Sequence, residues 1–474
     1  MQLPLLRPLS FALLFALGGQ AMAADLLQAY QLARESDPQL SAAESQRLAT
    51  GEGVVQSRAA LLPQISGSAS LSDSDSTSTS FSAVPDENGD LVFGRATTDS
   101  DSRSRSYGVD LQQSLYSHSN YTRLRASRAR SAAAEADLDA ALDGLALRVA
   151  QAYFGVLTSI DTLAFARADE RAVKRQLDQA EQRFEVGLTA VTDVHEARAR
   201  YDSSRASAIT AENALDDARE ALAEITGNWM ENFKGLEDGF VPVLPQPSDL
   251  AQWVEIALAE SPTLRSKTLA VDAAEQDIAT ARAGHLPSLS AFVSYDKGAG
   301  WGDRVLSSGF NVPANSENDG TTIGLSLNVP IFAGGATQSA VRQAVYGRDA
   351  VADQLEQQRR AVTRTTRNAY RAVLAGISEI EARKQALVSA QSALEATEAG
   401  FEVGTRTIVD VLLSQQVLTQ AQRDYSNSRH NFLVNTLALK QSAGVIDIKD
   451  VEAVNQLLTR DAEAALTAVT TEAQ

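Results

Sequence analysis

Two textures alternate along the chain, each with its own period. The first consists of short runs in which apolar and small polar residues take turns. Ile65, Gly67, Ala69 and Leu71 alternate with Ser66, Ser68, Ser70 and Ser72. Tyr107, Val109, Leu111 and Leu115 alternate with Gly108, Asp110, Gln112 and Ser114. Leu289, Ala291, Val293 and Tyr295 alternate with Ser288, Ser290 and Ser294, and Phe292 breaks the pattern. Ile323, Leu325, Leu327, Val329 and Ile331 alternate with Thr322, Gly324, Ser326 and Asn328. A period of two marks a strand with one apolar and one polar face. Strands are expected at about 64–73, 106–116, 287–297 and 321–332. Each run is about ten residues, the length of a tilted strand that crosses a bilayer. The Ser/Asp/Gly-rich stretches between them, 73–105 and 297–320, are expected to be long exposed loops.

The second texture is helical. Residues 86–241 and 331–474 contain no proline and are rich in Ala, Gln, Arg, Glu and Leu, which are strong helix formers. Val149, Tyr153, Val156, Ile160 and Leu163 recur at steps of four and three, the seam of a coiled coil. Helices are expected at about 117–186, 190–225, 336–402 and 408–441. The first would be roughly 100 Å long. Such a helix requires an extended bundle or tube.

The textures come in the same order twice. Asp37-Pro38 and Leu62-Pro63 recur as Ser261-Pro262 and Leu286-Pro287, an offset of 224 in both cases. Tyr153, Phe184, Gly187 and Asp193 match Tyr370, Phe401, Gly404 and Asp410 at an offset of 217. The expected organisation is a first repeat over 24–248, a second over 249–456 and a polar tail over 457–474. Two repeats are too few for an ordinary solenoid. Several chains joined in a ring would complete such an array.

The strand count leads to the same expectation. Four strands cannot close a barrel, and transmembrane barrels begin at eight. Open strand edges are not tolerated in hydrocarbon, because unpaired backbone groups cost several kcal/mol each. If these strands span a membrane, chains must share one barrel: two would supply eight strands and three would supply twelve. Three leave an aqueous lumen more readily. The rival reading is four edge strands of a soluble sandwich.

Residues 1–23 read as a secretory signal peptide. Arg7 precedes an apolar run through Leu13, Leu14, Phe15 and Leu17, and Ala21-Met22-Ala23 offers a small-residue cleavage site. Beyond it no run of 18 apolar residues is found, which argues against a helical membrane protein. The chain has no Cys, so neither disulfides nor thiolate chemistry is available. A net charge of −18 makes nucleic acid a poor partner. No catalytic constellation is present. His118, His195, His285 and His430 show no ligand spacing, and neither a phosphate-binding loop nor a nucleophile elbow occurs. No enzyme activity, cofactor or metal is expected.

Two matched segments interrupt the helices. One is Arg-Phe-Glu-Val-Gly-Leu-Thr-Ala-Val-Thr-Asp-Val from Arg183 to Val194; the other is Phe-Glu-Val-Gly-Thr-Arg-Thr-Ile-Val-Asp-Val-Leu from Phe401 to Leu412. Each reads as a helix end at Gly, a polar turn and a restart. These segments, the duplication, the Leu-Pro pairs at Pro63 and Pro287, and Leu-Asn-Val-Pro-Ile-Phe at 327–332 together resemble the TolC-type outer-membrane efflux channels. The resemblance covers nearly the whole chain after the signal.

The resemblance implies a helix-dominated α+β membrane protein. Three chains would share one 12-stranded outer-membrane β-barrel, continued by a 12-helix tube in the periplasm of a Gram-negative cell. It implies an exit duct for efflux and type I secretion, passing drugs, detergents or proteins. The partners would be a homotrimer, a periplasmic adaptor protein, an inner-membrane transporter and outer-membrane lipid. It implies a gate as well. Asp410 matches a constricting ring carboxylate, and Leu413 stands where the family pattern has a second one. Arg406 matches an arginine that ties the inner hairpin to its neighbour through Thr192 and Asp193. Phe401 replaces a tyrosine of that latch. Gly187, Leu188, Gly404 and Thr405 lie at hairpin tips that meet the adaptor. The rival functions are a passive porin, a pore-less coiled-coil adaptor and a metal-export channel. Met230 is the only Met beyond the signal and His is scattered, so nothing favours metal cargo.

Overall fold

The computed structural model describes residues 25–85, 90–237, 239–306, 311–464 and 466. The expected signal peptide at 1–23 and residues 467–474 of the expected tail lie outside them. In chain order the elements are α1 (Leu26–Ser36), α2 (Pro38–Ala59), β1 (Gln64–Pro85), β2 (Leu91–Tyr116), α3 (His118–Glu185), α4 (Val191–Thr226) and β3 (Lys234–Leu236). They continue as α5 (Leu250–Glu260), α6 (Pro262–Arg282), a 3-10 turn (Ala283–His285), β4 (Ser288–Val305), β5 (Asn311–Pro313), β6 (Ser316–Asn328), α7 (Ala336–Glu402), α8 (Ile408–Ser442), α9 (Ile448–Asn455) and β7 (Leu458–Asp461). The chain divides into two compact units. One holds the residues up to Ser45, Ala136–Arg265 and those from Gln357 on; the other holds Gln46–Glu135 and Ser266–Glu356.

The second unit contains one antiparallel sheet. Its order is β1-β2-β4, with β6 beside the lower part of β4 and β5 beside the upper end. The register sorts the side chains by face. Ile65 pairs with Leu111, Leu111 with Val293, and Val293 with Ile323, so one apolar row crosses all four strands. The adjacent row, Ser66, Asp110, Ser294 and Thr322, is polar and points the other way. Ile65, Leu71, Ile323, Leu325 and Leu327 are all exposed, Ile323 at 76%. Phe292, which breaks the alternation, lies on the polar face above Gly324. A Cβ at Gly324 would come within 2.6 Å of its ring, so only glycine leaves that space.

Most of the described residues of the expected loops prove to be strand. β1 and β2 stay paired from Gln64↔Gln112 to Pro85↔Leu91, and β4 runs to Val305. Ser, Thr and Asp side chains carry little hydrophobic signal, but backbone pairing needs none. Hydroxyls also bridge the ladder, Ser70 to Ser106 at 2.8 Å and Ser72 to Ser104 at 2.7 Å. At the other end β6 stops at Asn328, short of the expected 332, with Pro330 following.

The first unit is a helical body. α3 contributes Leu145, Val149, Tyr153, Val156, Ile160 and Leu163 to its core, beside Leu222 of α4, Val373 of α7 and Leu437 of α8. α3 does contain one 18-residue window apolar enough to cross a membrane by length and composition. Half of that window is buried inside the chain, as a core helix requires. Tyr153 donates its hydroxyl to the Lys234 carbonyl at 2.8 Å, and Tyr370, its repeat mate, donates to the Ser248 carbonyl. The expected polar tail is partly structured. Its residues Leu458–Asp461 pair with β3, Ala462 is buried, and Glu463 bonds Arg219 at 2.9 Å.

The repeats diverge at one buried position. Asp37 caps α2 through the Leu40 N–H at 2.9 Å and pairs with Arg148 at 2.6 Å. Burial alone would raise the Asp37 carboxyl, yet the bonds from Arg148 and the backbone outweigh it and hold it below the usual range. The repeat mates are Ser261 (37 plus 224) and Thr365 (148 plus 217). Both hydroxyls line a cavity of about 230 Å³ beside Asp143. Burial, with Asp139 nearby, pushes the Asp143 carboxyl up to about 6.

His430 of α8 is also buried. Its Nδ1 lies 3.0 Å from Thr158 Oγ1, and its Nε2 lies 4.0 Å from Asp161, which accepts from Ser426. Burial first, and Arg429 with it, pushes the imidazole down to about 4 against the pull of Asp161.

Two predictions follow from these groups. Arg148→Ala leaves the Asp37 carboxylate buried and unpaired; it lowers unfolding free energy by about 2–4 kcal/mol, whereas Thr365→Ala costs below about 1. Denaturant titration compares the two. His430 is neutral when folded but titrates normally when unfolded, so its contribution is full above about pH 6.5 and lost as pH falls to about 4. The stability gap between wild type and His430→Gln therefore narrows by on the order of 3 kcal/mol across that window. Thermal melts at stepped pH measure the change.

Candidate gate at the helical hairpin tips

Both hairpins of the first unit turn by the same hydrogen bonds. At the end of α3, Gly187 N–H donates to the Phe184 carbonyl at 2.9 Å and Leu188 N–H to Arg183 at 2.8 Å. At the end of α7, Gly404 N–H donates to Phe401 at 3.1 Å and Thr405 N–H to Gly400 at 2.8 Å. These pairs are the two bonds of a Schellman turn, repeated at the 217-residue offset. Such a turn places one residue at positive φ, and Gly187 (77°) and Gly404 (78°) take that place. Leu188 is 77% exposed, and Gly187, Gly404 and Thr405 are exposed too. The four tip residues thus form two uncovered points on the chain.

The restarts differ. Thr407 caps α8: the Asp410 N–H donates to Thr407 Oγ1 at 3.3 Å, while the Thr407 N–H and hydroxyl both donate to Asp410 Oδ2 at 2.9 Å. This is a reciprocal capping box. The bonds from Thr407, with a smaller contribution from Arg406, hold the Asp410 carboxyl below the usual range, so it is ionised at neutral pH. At α4 the N-cap position is Ala190, without a side-chain bond, and Asp193 accepts instead from the Thr189 hydroxyl. Asp410 is therefore a helix-capping residue before any other role is considered.

The structure brings some of the expected gate residues together and leaves others apart. Phe401 packs on Val173, Leu177, Ala180, Ala197, Ile408 and Leu412, a small cluster that joins all four helix ends. Its ring lies 4.5 Å from the Arg183 guanidinium carbon, a cation–π stack. Leu413 is more than half exposed. Arg406 is exposed, with its stem close to Gly400; among the described residues no bond joins it to Thr192 or Asp193 of the same chain. Thr192 is exposed as well.

Below the tips lies a polar bolt that the sequence did not reveal. Asp169 of α3, only 6% exposed, accepts from Arg200 of α4 at 3.2 Å and from Thr419 of α8 at 2.9 Å. It ties three helices at one point. Asp169 sits within a run of charged residues, Arg167 to Arg171, and burial rather than spacing distinguishes it.

The chain is similar to known proteins over most of its length. A family model described as "Outer membrane efflux protein" matches residues 29–228 and 253–445, one segment in each repeat. The outer membrane protein TolC of Vibrio cholerae is 37% identical over 444 residues, 94% of this chain and 96% of that protein. The outer membrane protein TolC of Escherichia coli K12 is 35% identical, over 93% of this chain and 86% of that protein. The fold is similar to the crystal structure of the CmeC outer membrane channel of Campylobacter jejuni, with a TM-score of 0.70 at 17% identity, covering 92% of this chain and 90% of that one.

The capping box makes a local prediction. Thr407→Val removes the cap and costs about 1 kcal/mol. Amide exchange in the first turn of α8 then quickens about fivefold, since 1 kcal/mol is a factor of that size. Exchange at the first turn of α4 stays unchanged.

Proposed function

This chain belongs to the outer membrane efflux protein family, and from that premise we propose that three copies assemble into one gated exit duct of the outer membrane. The family is one of transport channels and not of enzymes. The duct reading rests on one observation above the rest. The sheet presents an apolar row, Ile65-Leu111-Val293-Ile323, on one face and, among the described residues, leaves β1 and β6 without an outer partner. Lipid suits that row, and a second copy suits those edges. Three copies give twelve strands around a lumen lined by the Ser- and Gly-rich face. The upper halves of β1 and β2 carry Ser, Asp and Thr and would stand in water beyond the apolar band.

The long helices would extend the duct into the periplasm, where α3–α4 and α7–α8 end in the tips described above. Asp410, held ionised by its cap, would form a ring of three carboxylates and favour cations. Leu413 offers no second ring. Among the described residues Arg406 bonds neither Thr192 nor Asp193 of its own chain, which suits a bond to those two residues of the adjoining copy. Phe401 cannot supply a hydroxyl to such a latch and is engaged with Arg183 instead. Links of this kind are worth on the order of 1 kcal/mol each, weak enough for a partner to undo. That partner would be a periplasmic adaptor seated on Gly187, Leu188, Gly404 and Thr405, with an inner-membrane transporter supplying energy and cargo. The cargo would be drugs, detergents or secreted proteins, as the transporter selects.

Single-channel recording in a planar bilayer tests the gate. Wild type is expected to show a small, cation-favouring conductance that rises severalfold in Arg406→Ser, with only loose block by a trivalent cation. A large conductance in both forms would favour a passive porin. Block as tight as two acidic rings produce would contradict the single ring at Asp410.

A further inference from the structure

Against a net charge of −18, α7 carries an unusual run. From Gln357 to Ser378 it holds five arginines and no acid. Arg360, Arg364, Arg367 and Arg371 are spaced by four, three and four residues, so they form one stripe along the helix. All four are exposed, and they point away from Val362, Thr366, Tyr370 and Val373, which α7 buries in its own chain. Among the described residues, no ion pair holds Arg364, Arg367 or Arg371.

A matching stripe of opposite sign runs along α4. Its acids are Asp217, Glu220 and Glu224; with the neutral Asn213, which donates to Asp217 at 3.1 Å, they share the same four-three-four spacing, and all four are exposed. They lie opposite the buried Ala211, Leu215 and Leu222. Other acids of this segment are engaged within the chain: Glu212 pairs with Arg167, and Asp216 with Arg219. Glu220 and Glu224 are in no ion pair among the described residues.

Position along the helices matches as well. The four helix ends pack in one small cluster, so the two tips are level within the unit. Arg371 lies 31 residues before the end of α7 at Glu402, and 31 residues past the start of α4 at Val191 is Leu222. Leu222 sits between Glu220 and Glu224. The two helices run in opposite directions relative to the tips, so Arg367 falls near Thr226, within a turn of Glu224.

The sheet edges give an independent reason for α7 to meet another copy. Within the second unit β1 follows α2 and β6 leads into α7. Joining the β6 edge of one copy to the β1 edge of the next therefore sets the first turns of α7 beside α2 of the neighbour. We infer that the arginine stripe of α7 is the seam to the next copy, with Arg371 paired to Glu220 and Arg367 to Glu224 of that copy. The inference rests on the trimer reading above and specifies which helices meet. The sign of the charges fixes one order around the ring, because two α7 stripes repel each other and two α4 stripes do the same.

The absence of Cys allows a clean test in the full chain. Glu220→Cys/Arg371→Cys and Glu224→Cys/Arg367→Cys are oxidised in detergent, with Asp202→Cys/Arg371→Cys as a pair about 30 Å out of register. The expected result is a ladder of covalent dimers and trimers from the first two pairs and none from the third. In a second arm, Arg367→Glu/Arg371→Glu loses the three-chain particle, and adding Glu220→Arg/Glu224→Arg restores it. A three-chain particle without the ladder, and indifferent to charge reversal, overturns the seam and leaves the stripe to another partner such as an acidic face of an adaptor. A one-chain particle for the unmodified protein overturns the trimer reading itself.

Discussion

Backbone hydrogen bonding in hydrocarbon is the constraint on which the rest of this structure depends. A strand in lipid has no water to satisfy its outer N–H and C=O groups, and each unpaired group costs several kcal/mol. The chain supplies four long strands with an apolar row across them and leaves two edges open. Left alone in a membrane, this sheet would be strongly unfavourable. Joined edge to edge with copies of itself, it has no edges left. The helices inherit that demand: whatever order the strands take around a ring, the helices that lead into them must follow.

The duplication shows which parts of the repeat are free to change. The Schellman turns at Gly187 and Gly404 are the same bond for bond, because reversing a helix between two packed partners has few solutions. The restarts beside them diverge. Asp410 is locked in a capping box and Asp193 is held by a single local hydroxyl. Deeper in the body, the ion pair of Asp37 and Arg148 becomes two hydroxyls, Ser261 and Thr365, with a cavity beside them. The proposed gate uses this divergence. An ionised, well-held Asp410 suits a ring, and an exposed Arg406 that among the described residues bonds neither Thr192 nor Asp193 of its own chain suits a latch to a neighbour.

Much of this was legible from residue pattern, and the gaps have physical causes. The long helices and the apolar cores of the strands are marked by periodicity, which is what burial and lipid impose. The upper strands were not legible, because Ser72 to Ser80 contains nothing apolar and is held by the ladder and a few polar cross-strand bonds. β7 spans four residues, too few for a period, and only its pairing with β3 reveals it. His430 is an isolated imidazole among Ser, Asn and Arg, and its burial follows from Phe154 and Thr158 on another helix, over 270 residues away in sequence. The tip glycines stood out from the two matched segments. Contacts such as Asp169 with Arg200 and Thr419 depend on three helices meeting and leave no local trace.

The central claim is that copies of this chain close one another's sheets. The most direct test is the native mass of the protein extracted from membranes into a mild detergent. The account predicts a particle of three chains, about 150 kDa of protein before signal removal for a 50.5 kDa chain. A stable, folded particle of one chain would contradict it, because the edges of β1 and β6 would then need some other closure.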